Sequence, residues 1–487
     1  MWSKREPVGT TMGPPMVARK RLLRFLVAIC LVSAFSFVLW PHVDQPSVTT
    51  TTISGNVTVT SDVQCDPDTD VLNRLNIRKL SQYVRRDVIA VPSAANDPLP
   101  IKHLLNYPLF EPSLPSVDAQ GNPLEEPAQK DCKMDNPITV QVPRPPRNVD
   151  ASHIDFGVAT TLSRLNDSVE QFAHWAGYTR TRIFALIEPD DRAAEVQAKA
   201  DLLGINLYIT ESDEEYQRRY FSLVAHLAQN VRSQTRWSCI IDDDTFFMSM
   251  STLVKSLSEY DDTKNYYVGG LSESIPQIGV FGLMGFGGAG VFLSRPLLLE
   301  LSDPDVFEAC QNMDFTGDRR ISICVYQNTE THLTINHGLH QLDVTGDVSG
   351  FFESGRQPPL SVHHWKSWFH TDMGKLSVVR DICGDSCLLR QWQFEDGWIL
   401  TNGYSIIKYS LPVDPFEKTM ELTWDGENGA VYESYLHEFG PMRPKDEQKY
   451  SYRLEDAVLE GNQVRQWYVH RDEANGDQVF ELTWRAG

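Results

Sequence analysis

The sequence predicts an α/β domain built on a mostly parallel β-sheet, and two observations carry this prediction. Between residues 153 and 245, short apolar runs that suit buried strands alternate with longer segments of helical periodicity. The last apolar run ends in three consecutive aspartates, Asp242, Asp243 and Asp244. Strands that alternate with helices form parallel sheets, and ligands bind at the carboxyl ends of such strands, so this acidic end marks the expected site.

The predicted elements follow one another from the start of this region. Strands are predicted at residues 154–161, 182–187 and 206–210. Helices are predicted at residues 162–175, 193–203 and 214–231, and the last of them leads into the acidic strand. The globular domain is predicted to begin at about residue 151.

The three aspartates indicate a metal site. Adjacent carboxylates repel one another, and burying them is costly unless a cation or hydrogen-bond donors offset their charge. Mg²⁺ or Mn²⁺ takes one or two carboxylates from a protein and leaves its other positions to water and phosphates, so a strand-end triplet suits a metal that carries a diphosphate. The alternative is a solvated acidic loop, since aspartate-rich turns are common.

The charge of the chain is divided unevenly. The formal net charge is −21, but residues 1–24 contain six basic side chains against one acidic, a net charge of +5 that leaves −26 for the remainder. An acidic folded part excludes nucleic acid as an expected partner. With 487 residues, of which 41% are hydrophobic, the chain is long enough to build a large core.

The N-terminal region predicts a signal anchor. Residues 22–40 are apolar apart from Arg24, basic residues precede them, and none follows closely. The sequence therefore predicts a cytosolic tail at residues 1–21, one transmembrane helix at 22–40, and a type II topology with the remainder in the secretory lumen. A cleaved signal peptide is the alternative, although Trp40 and Pro41 make a poor cleavage site.

The cysteines and sequons fit a lumenal location. Cys30 lies in the apolar segment, and the other seven cysteines are an odd number, so at least one stays free or pairs with another chain. Cys239, within the acidic strand, is the best candidate for a buried free thiol. The pairs Cys310 with Cys324 and Cys383 with Cys387 are plausible local disulfides. Sequons at Asn56 and Asn166 are consistent with glycosylation.

Two further regions flank the predicted domain. Residues 41–150 are rich in Pro, Ser and Thr and predict an extended stem, with one amphipathic helix expected at residues 70–87. Residues 411–487 alternate short β-like runs with turns and predict a small β-rich appendage that packs on the domain.

The motifs of the domain resemble those of Fringe-like β-1,3-glycosyltransferases (glycosyltransferase family 31), and most closely an uncharacterised Fringe-related branch. The segment Ile241–Phe247 resembles the Asp-any-Asp motif of nucleotide-sugar glycosyltransferases. Gly285–Arg295 resembles the glycine-rich segment of the family, and Phe315–Cys324 resembles the helix start that supplies the catalytic base. Gly338–Gln341 and Ser361–Trp365 match two histidine-containing segments of the branch. The resemblance covers residues 153–410, and residues 392–406 match the closing strands of the branch. It implies a catalytic domain at residues 151–410 with a GT-A-like, Rossmann-type fold and flanking helices.

The resemblance implies roles for individual residues. Asp244 is the expected metal ligand, with His363 and His340 as candidate histidine ligands, although Fringe has His-Ser-His where this chain has His340, Gln341 and Leu342. Asp318 is the expected catalytic base and Asp314 the alternative. A helix N-terminus is expected to keep the pKa of Asp318 low. Further contacts to the nucleotide sugar are expected from Thr160, Thr161, Asp242, Asp243, Gly287, Gly288, Ala289 and Gly290.

These inferences converge on one expected function. The chain is expected to be a Golgi type II membrane glycosyltransferase that uses Mn²⁺ or Mg²⁺ to transfer a hexose or N-acetylhexosamine from a UDP-sugar, with inversion, to a hydroxyl of a glycan or glycoprotein. A β-1,3 linkage follows from the resemblance alone. The alternatives are a lumenal carbohydrate-binding protein of the same fold without catalysis, and a calcium-stabilised interaction domain in which the aspartates are structural.

Overall fold

A computed structural model describes residues 50–53, 57–60, 63, 65–93, 99–110, 132–144, 149–414, 418–426 and 428–487. Thr51–Gly487 form one compact unit. The predicted cytosolic tail, the predicted membrane anchor and the sequon at Asn56 lie outside the described residues. Within the described ranges, none of the helices combines the length and the apolar character that crossing a bilayer requires.

The described chain begins with short elements that precede the predicted domain. They are β1 (Thr50–Ile53), β2 (Val57–Thr60), α1 (Thr69–Arg74), β3 (Lys79–Pro92), β4 (Lys102–Leu104) and β5 (Ile138–Val142). The helix expected at residues 70–87 therefore ends early. Asp68 caps the start of α1, and the left-handed backbone of Asn76, with a φ of 53°, turns the chain from the helix towards β3.

The α/β region follows. Its strands are β6 (Ile154–Thr160), β7 (Arg182–Ile187), β8 (Asn206–Glu211), β9 (Trp237–Ile241), β10 (Phe246–Phe247), β11 (Tyr267–Gly269), β12 (Val291–Ser294) and β13 (Leu333–Ile335). Its helices are α2 (Leu162–Ala176), α3 (Ala193–Leu202), α4 (Tyr216–Gln229), α5 (Met250–Leu257), α6 (Ile275–Phe281), α7 (Arg295–Leu301), α8 (Pro304–Gln311) and α9 (Gly317–Asn328), with a 3-10 turn at Gly287–Ala289.

Seven of these strands form a mixed sheet in the order β13-β11-β12-β9-β6-β7-β8. Neighbouring strands among β9, β6, β7 and β8 are parallel, whereas β12 is antiparallel to both β9 and β11. All residues of β6 and β9 are buried, as expected for central strands covered on both faces. The predicted α/β class is confirmed, and Asp242 directly follows the central strand β9.

The remaining elements complete the chain. Short pieces come first: β14 (Thr345–Gly346), α10 (Ser349–Phe352), β15 (Ser361–Val362), α11 (Met373–Ser377), α12 (Arg380–Cys383) and a 3-10 turn at Asp385–Cys387. The last strands and helices are β16 (Gln391–Gln393), β17 (Ile399–Thr401), β18 (Ser405–Lys408), β19 (Met420–Leu422), β20 (Trp424–Asp425), a 3-10 turn at Tyr432–Tyr435, α13 (Leu436–Phe439), β21 (Met442–Pro444), β22 (Tyr450–Glu460), β23 (Gln463–His470) and β24 (Asp477–Ala486).

A second, eleven-stranded sheet corrects the interpretation of the flanking regions. Its order is β1-β2-β3-β24-β23-β22-β18-β17-β16-β4, and β5 also pairs with β3. Four strands between residues 57 and 142, β2–β5, therefore belong to this sheet, which contradicts the extended stem expected there. The sheet also joins β22–β24 directly to β18, so residues 450–486 are not a separate appendage.

The reason for this correction lies in the pattern of burial along β3. Leu80, Val88 and Ala90 are buried, because β3 lies in parallel register with β24 from Leu80 to Ala90. One hydrophobic core contains side chains of both sheets, among them Val140, Phe156 and Trp484.

Three disulfides stabilise the described chain. They join Cys65 to Cys132, Cys310 to Cys324, and Cys383 to Cys387. The two local pairs agree with the sequence-based expectation. Cys239 is the buried free thiol that its position within an apolar strand predicts.

Candidate active site

The acidic turn after β9 is connected to the glycine-rich segment through one threonine. The backbone N–H of Asp242 donates to Thr245 Oγ1 at 3.1 Å, and that hydroxyl donates to the carbonyl of Gly288 at 3.0 Å. The φ of Gly290 is 94°, a left-handed conformation that favours glycine. These contacts place two distant sequence motifs side by side.

Strand pairing brings His363 to the same turn. β10 pairs antiparallel with β15, with Phe246 opposite Val362, so the residue after β15 lies beside the residues that precede β10. His363 Nε2 is 2.9 Å from Asp244 Oδ1 and 3.4 Å from Asp242 Oδ2. The predicted association of His363 with Asp244 is thus present in the structure.

His364 is a further member of this group that sequence reasoning missed. Asp244, His363 and His364 each offer one ligand atom, and these atoms lie within 4.8 Å of one another. Adjacent side chains of a strand point to opposite faces, but the φ of His364 is 59°, which turns its ring back towards His363. The ring centroids of His363 and His364 are 3.8 Å apart, and His364 stacks on Trp368 at 3.8 Å. The sequence signal that could have identified His364 is its position directly after the predicted ligand His363.

The electrostatics of the group fit a cation. Burial favours a raised pKa for Asp244, but the hydrogen bond and charge of His363 outweigh it and lower that pKa to about 2. Burial opposes protonation of His363, yet Asp244 raises the pKa of His363 to about 9. Burial, together with the charges of Asp318 and Asp244, raises the pKa of Asp242 to about 7. A divalent cation bound here would balance the charge of the same carboxylates.

The chemistry of the donors is also suitable for a metal. One carboxylate and two imidazoles suit several divalent ions, and carboxylate ligands favour Mg²⁺ and Mn²⁺. In the described part of the chain, His363 Nδ1 is a buried atom without a hydrogen-bond partner. Asp244, His363 and His364 are therefore the residues that can hold a metal ion.

His340 lies in different surroundings and is not brought together with Asp244 and His363. Its Nδ1 is 3.1 Å from Glu273 Oε1, and its ring packs edge-on against Phe351. His340 lies in the motif Gly338–Gln341, which is why the sequence suggested it as a ligand. Its ring nitrogen contacts Glu273, however, and not the acidic turn at residues 242–244. The structure thus does not support His340 as a ligand of this site.

Asp243 is paired with Arg164 and Thr160, whereas Asp244 contacts His363. Its two oxygens accept from Arg164, Nε to Oδ2 at 2.6 Å and Nη2 to Oδ1 at 2.6 Å, and Thr160 Oγ1 also donates to Oδ2. Thr161 caps α2 by accepting from the backbone N–H of Arg164 at 3.4 Å. Three of the residues expected to contact the donor, Thr160, Thr161 and Asp243, thus lie at the ends of the neighbouring strands β6 and β9, where Asp243 is held by a guanidinium and a hydroxyl.

The glycines of Gly287–Ala289 allow close packing against site residues. A Cβ on Gly287 would lie 1.8 Å from the hydroxyl of Tyr220, and one on Gly288 would lie 2.2 Å from His363 Nδ1. Ala289 is buried, and its carbonyl accepts from Ser361 Oγ at 2.6 Å. The glycines are therefore required by side chains of this protein, which sequence alone could not distinguish from a need to approach a phosphate.

Asp318 lies in the first turn of α9, as predicted, and Thr316 rather than Asp318 is the N-cap residue. Its Oδ2 accepts from the backbone N–H of Gly287 at 2.9 Å. The expectation that the pKa of Asp318 is low is wrong, because burial raises it by more than the hydrogen bond of Gly287 lowers it. Asp314, the alternative base, is exposed.

One cavity joins these groups. It has a volume of about 410 Å³, and Asp242, Asp318, Asp343 and His364 are among the residues that line it. Carboxylates of the acidic turn and of α9 thus face the same space. A cavity of this size can bind a small polar ligand. His364 of the candidate metal site borders it, and the separate carboxylate of Asp318 could accept a proton from the ligand.

Comparison with known proteins identifies a family for this region. A family model described as Fringe-like matches residues 150–378. A search of curated protein sequences gives no match.

Several solved structures resemble the chain at low sequence identity. The apo form of the glycosyltransferase GlyE from Streptococcus pneumoniae TIGR4 is 12% identical over 43% of this chain and 54% of its own, with a TM-score of 0.29. TarS 1-349 from S. aureus in complex with UDP-GlcNAc is 11% identical over 38% of this chain and 55% of its own, with a TM-score of 0.27. LgtC with donor and acceptor sugar analogs is 12% identical over 43% and 86%, with a TM-score of 0.29. The chain thus spans about half the length of the first two, and TM-scores this low carry no argument about function.

Proposed function

We infer that this chain, whose residues 150–378 form a Fringe-like glycosyltransferase domain, transfers a hexose or N-acetylhexosamine from a UDP-sugar to a hydroxyl of a glycan or glycoprotein. Inversion at the anomeric carbon and a β-1,3 linkage are proposed from the family resemblance, as is a GT-A-like fold. A Golgi location with type II topology is proposed from the basic flank and apolar run at residues 22–40.

One observation carries this proposal. The cavity of about 410 Å³ has the acidic turn and His364 on its wall together with Asp318 from α9. A sugar transfer needs a place for the diphosphate leaving group and a separate base for the acceptor hydroxyl, and these two groups of residues supply them. Asp244, His363 and His364 would hold Mn²⁺ or Mg²⁺, which when bound offsets the charge of the diphosphate.

Asp318 is the proposed base. The backbone N–H of Gly287 donates to its Oδ2 at 2.9 Å, and Asp318 lines the cavity. The raised pKa of Asp318 makes it a better proton acceptor than an ordinary aspartate. It would remove the proton of the acceptor hydroxyl as that oxygen attacks the anomeric carbon.

Asp243 would act differently from its neighbours. Because Arg164 and Thr160 already occupy its oxygens, its charge is balanced without a metal. We propose that the Asp243–Arg164 pair holds the end of β6 next to the acidic turn, and that Thr160 and Thr161 border the nucleotide. Of the three aspartates, Asp242 and Asp244 are then the ones that face the donor.

The experiment is a hydrolysis and transfer assay with a panel of UDP-sugars in Mn²⁺. It should use the full chain in detergent, because strands β3 and β5 precede residue 150 and belong to the same core as the domain. Metal-dependent release of UDP from one donor, abolished in Asp244→Asn, supports the proposal. Saccharide binding without release of UDP from any donor would instead support the carbohydrate-binding alternative.

A further inference from the structure

We propose that a second cavity, of about 440 Å³, binds a neutral saccharide unit of the acceptor and thereby sets acceptor specificity. This inference rests on the proposed transferase function, since it assigns the acceptor of that reaction. The volume is within the range of about 300–1,000 Å³ that is usual for ligand pockets. Its position, its lining and its charge each support the assignment.

The cavity is built partly from residues that the Fringe-like match does not cover. Phe351 and His340 come from the matched region, whereas Met420, His437 and Phe439 follow it in the chain. The segment with α13 is fixed against the domain, because His437 Nε2 donates to the carbonyl of Ser272 at 3.1 Å. The cavity is therefore a feature that this chain adds to the matched domain.

Its lining suits a sugar ring. Apolar side chains that include Phe351, Met420 and Phe439 line it together with polar side chains that include Gln357 and His437. A pyranose has an apolar C–H face and a polar edge of hydroxyls, so it can contact the apolar side chains while it forms hydrogen bonds with the polar ones.

A buried carboxylate links this cavity to the active site. Glu273 is fully buried, and its Oε1 is 3.1 Å from His340 Nδ1 while its Oε2 accepts from the backbone N–H of Asp343 at 3.1 Å. His340 lines the second cavity, and Asp343 lines the first. Glu273 thus positions one wall residue of each cavity, which places a group bound in the second cavity next to the segment that borders the active site.

The charges favour a neutral ligand over an anionic one. The guanidinium of Arg356 already donates to the carbonyls of Lys418 at 2.9 Å and Phe439 at 2.7 Å. Glu438 lies 2.9 Å from His337 Nδ1 and brings a negative charge to the wall. The opposite charges of Arg356 and Glu438 offset each other, so the lining has no charge preference for an anion, whereas hydroxyl groups can both donate to and accept from such side chains.

The test fills the cavity from its exposed wall. Gln357 is exposed and lines the cavity, so Gln357→Trp adds bulk there without disturbing the core. Gln448→Trp, at another exposed position, is the matched control. A second variant, His437→Ala, removes a polar wall group without adding volume. Binding of methyl β-galactoside, methyl β-N-acetylglucosaminide, lactose, N-acetyllactosamine and chitobiose to each full-length protein is measured by calorimetry and saturation-transfer NMR.

We expect at least one of these saccharides to bind the wild type and Gln448→Trp equally. It should bind Gln357→Trp at least ten-fold more weakly, and His437→Ala should also bind it more weakly. Equal binding to all four proteins, or no binding to the wild type by any of the five, overturns the proposal. Release of UDP from UDP-sugars is measured on the same samples, both with and without these saccharides as acceptors. Saccharide binding that depends on Gln357 without any such release would refute the transferase function alone, whereas release without saccharide binding would refute only the subsite.

Discussion

Replacing Gly288 with alanine should separate metal binding from folding. Gly288 lies against the ring of His363, and an added Cβ would be 2.2 Å from Nδ1 and 2.4 Å from both Cγ and Cε1. Contacts this short force the imidazole to move, and its Nε2 is the atom that lies 2.9 Å from Asp244 Oδ1. We therefore expect Gly288→Ala to displace a metal ligand while β9 and β12 remain paired.

The expected size of the effect follows from two estimates. Overpacking of this kind costs about 1–3 kcal/mol of stability. Loss of an orienting contact at a metal site weakens binding by about 10–100-fold, so displacing a ligand should cost at least that much. At a Mn²⁺ concentration about 100 times the wild-type dissociation constant, the metal stabilises the wild type by about 2.7 kcal/mol. A 100-fold weaker site would retain only about 0.4 kcal/mol of that stabilisation.

The assay is thermal and denaturant unfolding with and without Mn²⁺, together with calorimetry of Mn²⁺ binding. Gly279→Ala is the matched control, because no atom lies within 4 Å of its added Cβ and the residue is exposed within α6. That control should keep the full metal effect and gain about 0.5–1 kcal/mol, since alanine favours a helix. The reasoning is refuted if Gly288→Ala keeps the wild-type Mn²⁺ stabilisation and affinity.

Four further changes have definite expected results. Asp318→Asn can still accept the hydrogen bond from the backbone N–H of Gly287, so its melting temperature and UDP affinity should match those of the wild type. Its turnover should fall by about 10²–10⁴-fold, and turnover within a few-fold of the wild type would place the base elsewhere. Because the pKa of Asp318 is raised, turnover of the wild type should be lost at a higher pH than protonation of an ordinary aspartate would cause. A pH profile of turnover that is flat down to pH 4 would contradict this. His364→Ala should weaken Mn²⁺ binding at least ten-fold by calorimetry, and unchanged affinity would remove His364 from the ligand set. Replacing Cys310 and Cys324 with serine opens a loop with a sequence separation of 14 and should cost about 3 kcal/mol in denaturant unfolding, whereas a loss below about 0.5 kcal/mol would show the disulfide to be dispensable.

The part of the fold that sequence predicted well is the part that local patterns determine. The strands and helices from β6 to α4 lie within a few residues of their predicted positions. Apolar runs mark the strands, and α2 and α4 combine an apolar face with the caps Thr161 and Glu215. The second sheet could not be predicted in this way. β3 pairs with β24 from the opposite end of the chain, and proline-rich composition around it indicated a spacer.

In the candidate site, too, residues with a local sequence motif were predicted, whereas a residue placed by the folded backbone was not. The acidic turn and Asp318 were identified from their own motifs, and the structure brings both to one cavity. His364, the third residue of the candidate metal site, could not be predicted in this way. Strand alternation predicts that only one of two adjacent histidines faces a given side of the sheet. The left-handed backbone at His364 breaks that alternation, and nothing in the pair of residues alone indicates which backbone conformation they adopt.

The direction of the pKa shift at Asp318 was wrong for a related reason. Its place in the first turn of α9 predicts a lowered pKa, since a helix N-terminus and a backbone N–H both favour the charged carboxylate. The structure contains both effects, and a hydrogen bond with Tyr220 also lowers the pKa of Asp318, but burial outweighs all of them. A folded-state pKa above the unfolded value stabilises the fold at low pH, and this contribution is lost as the pH rises through the folded pKa. Asp318 in its proton-accepting form therefore costs the fold stability, which is consistent with its proposed role as the base.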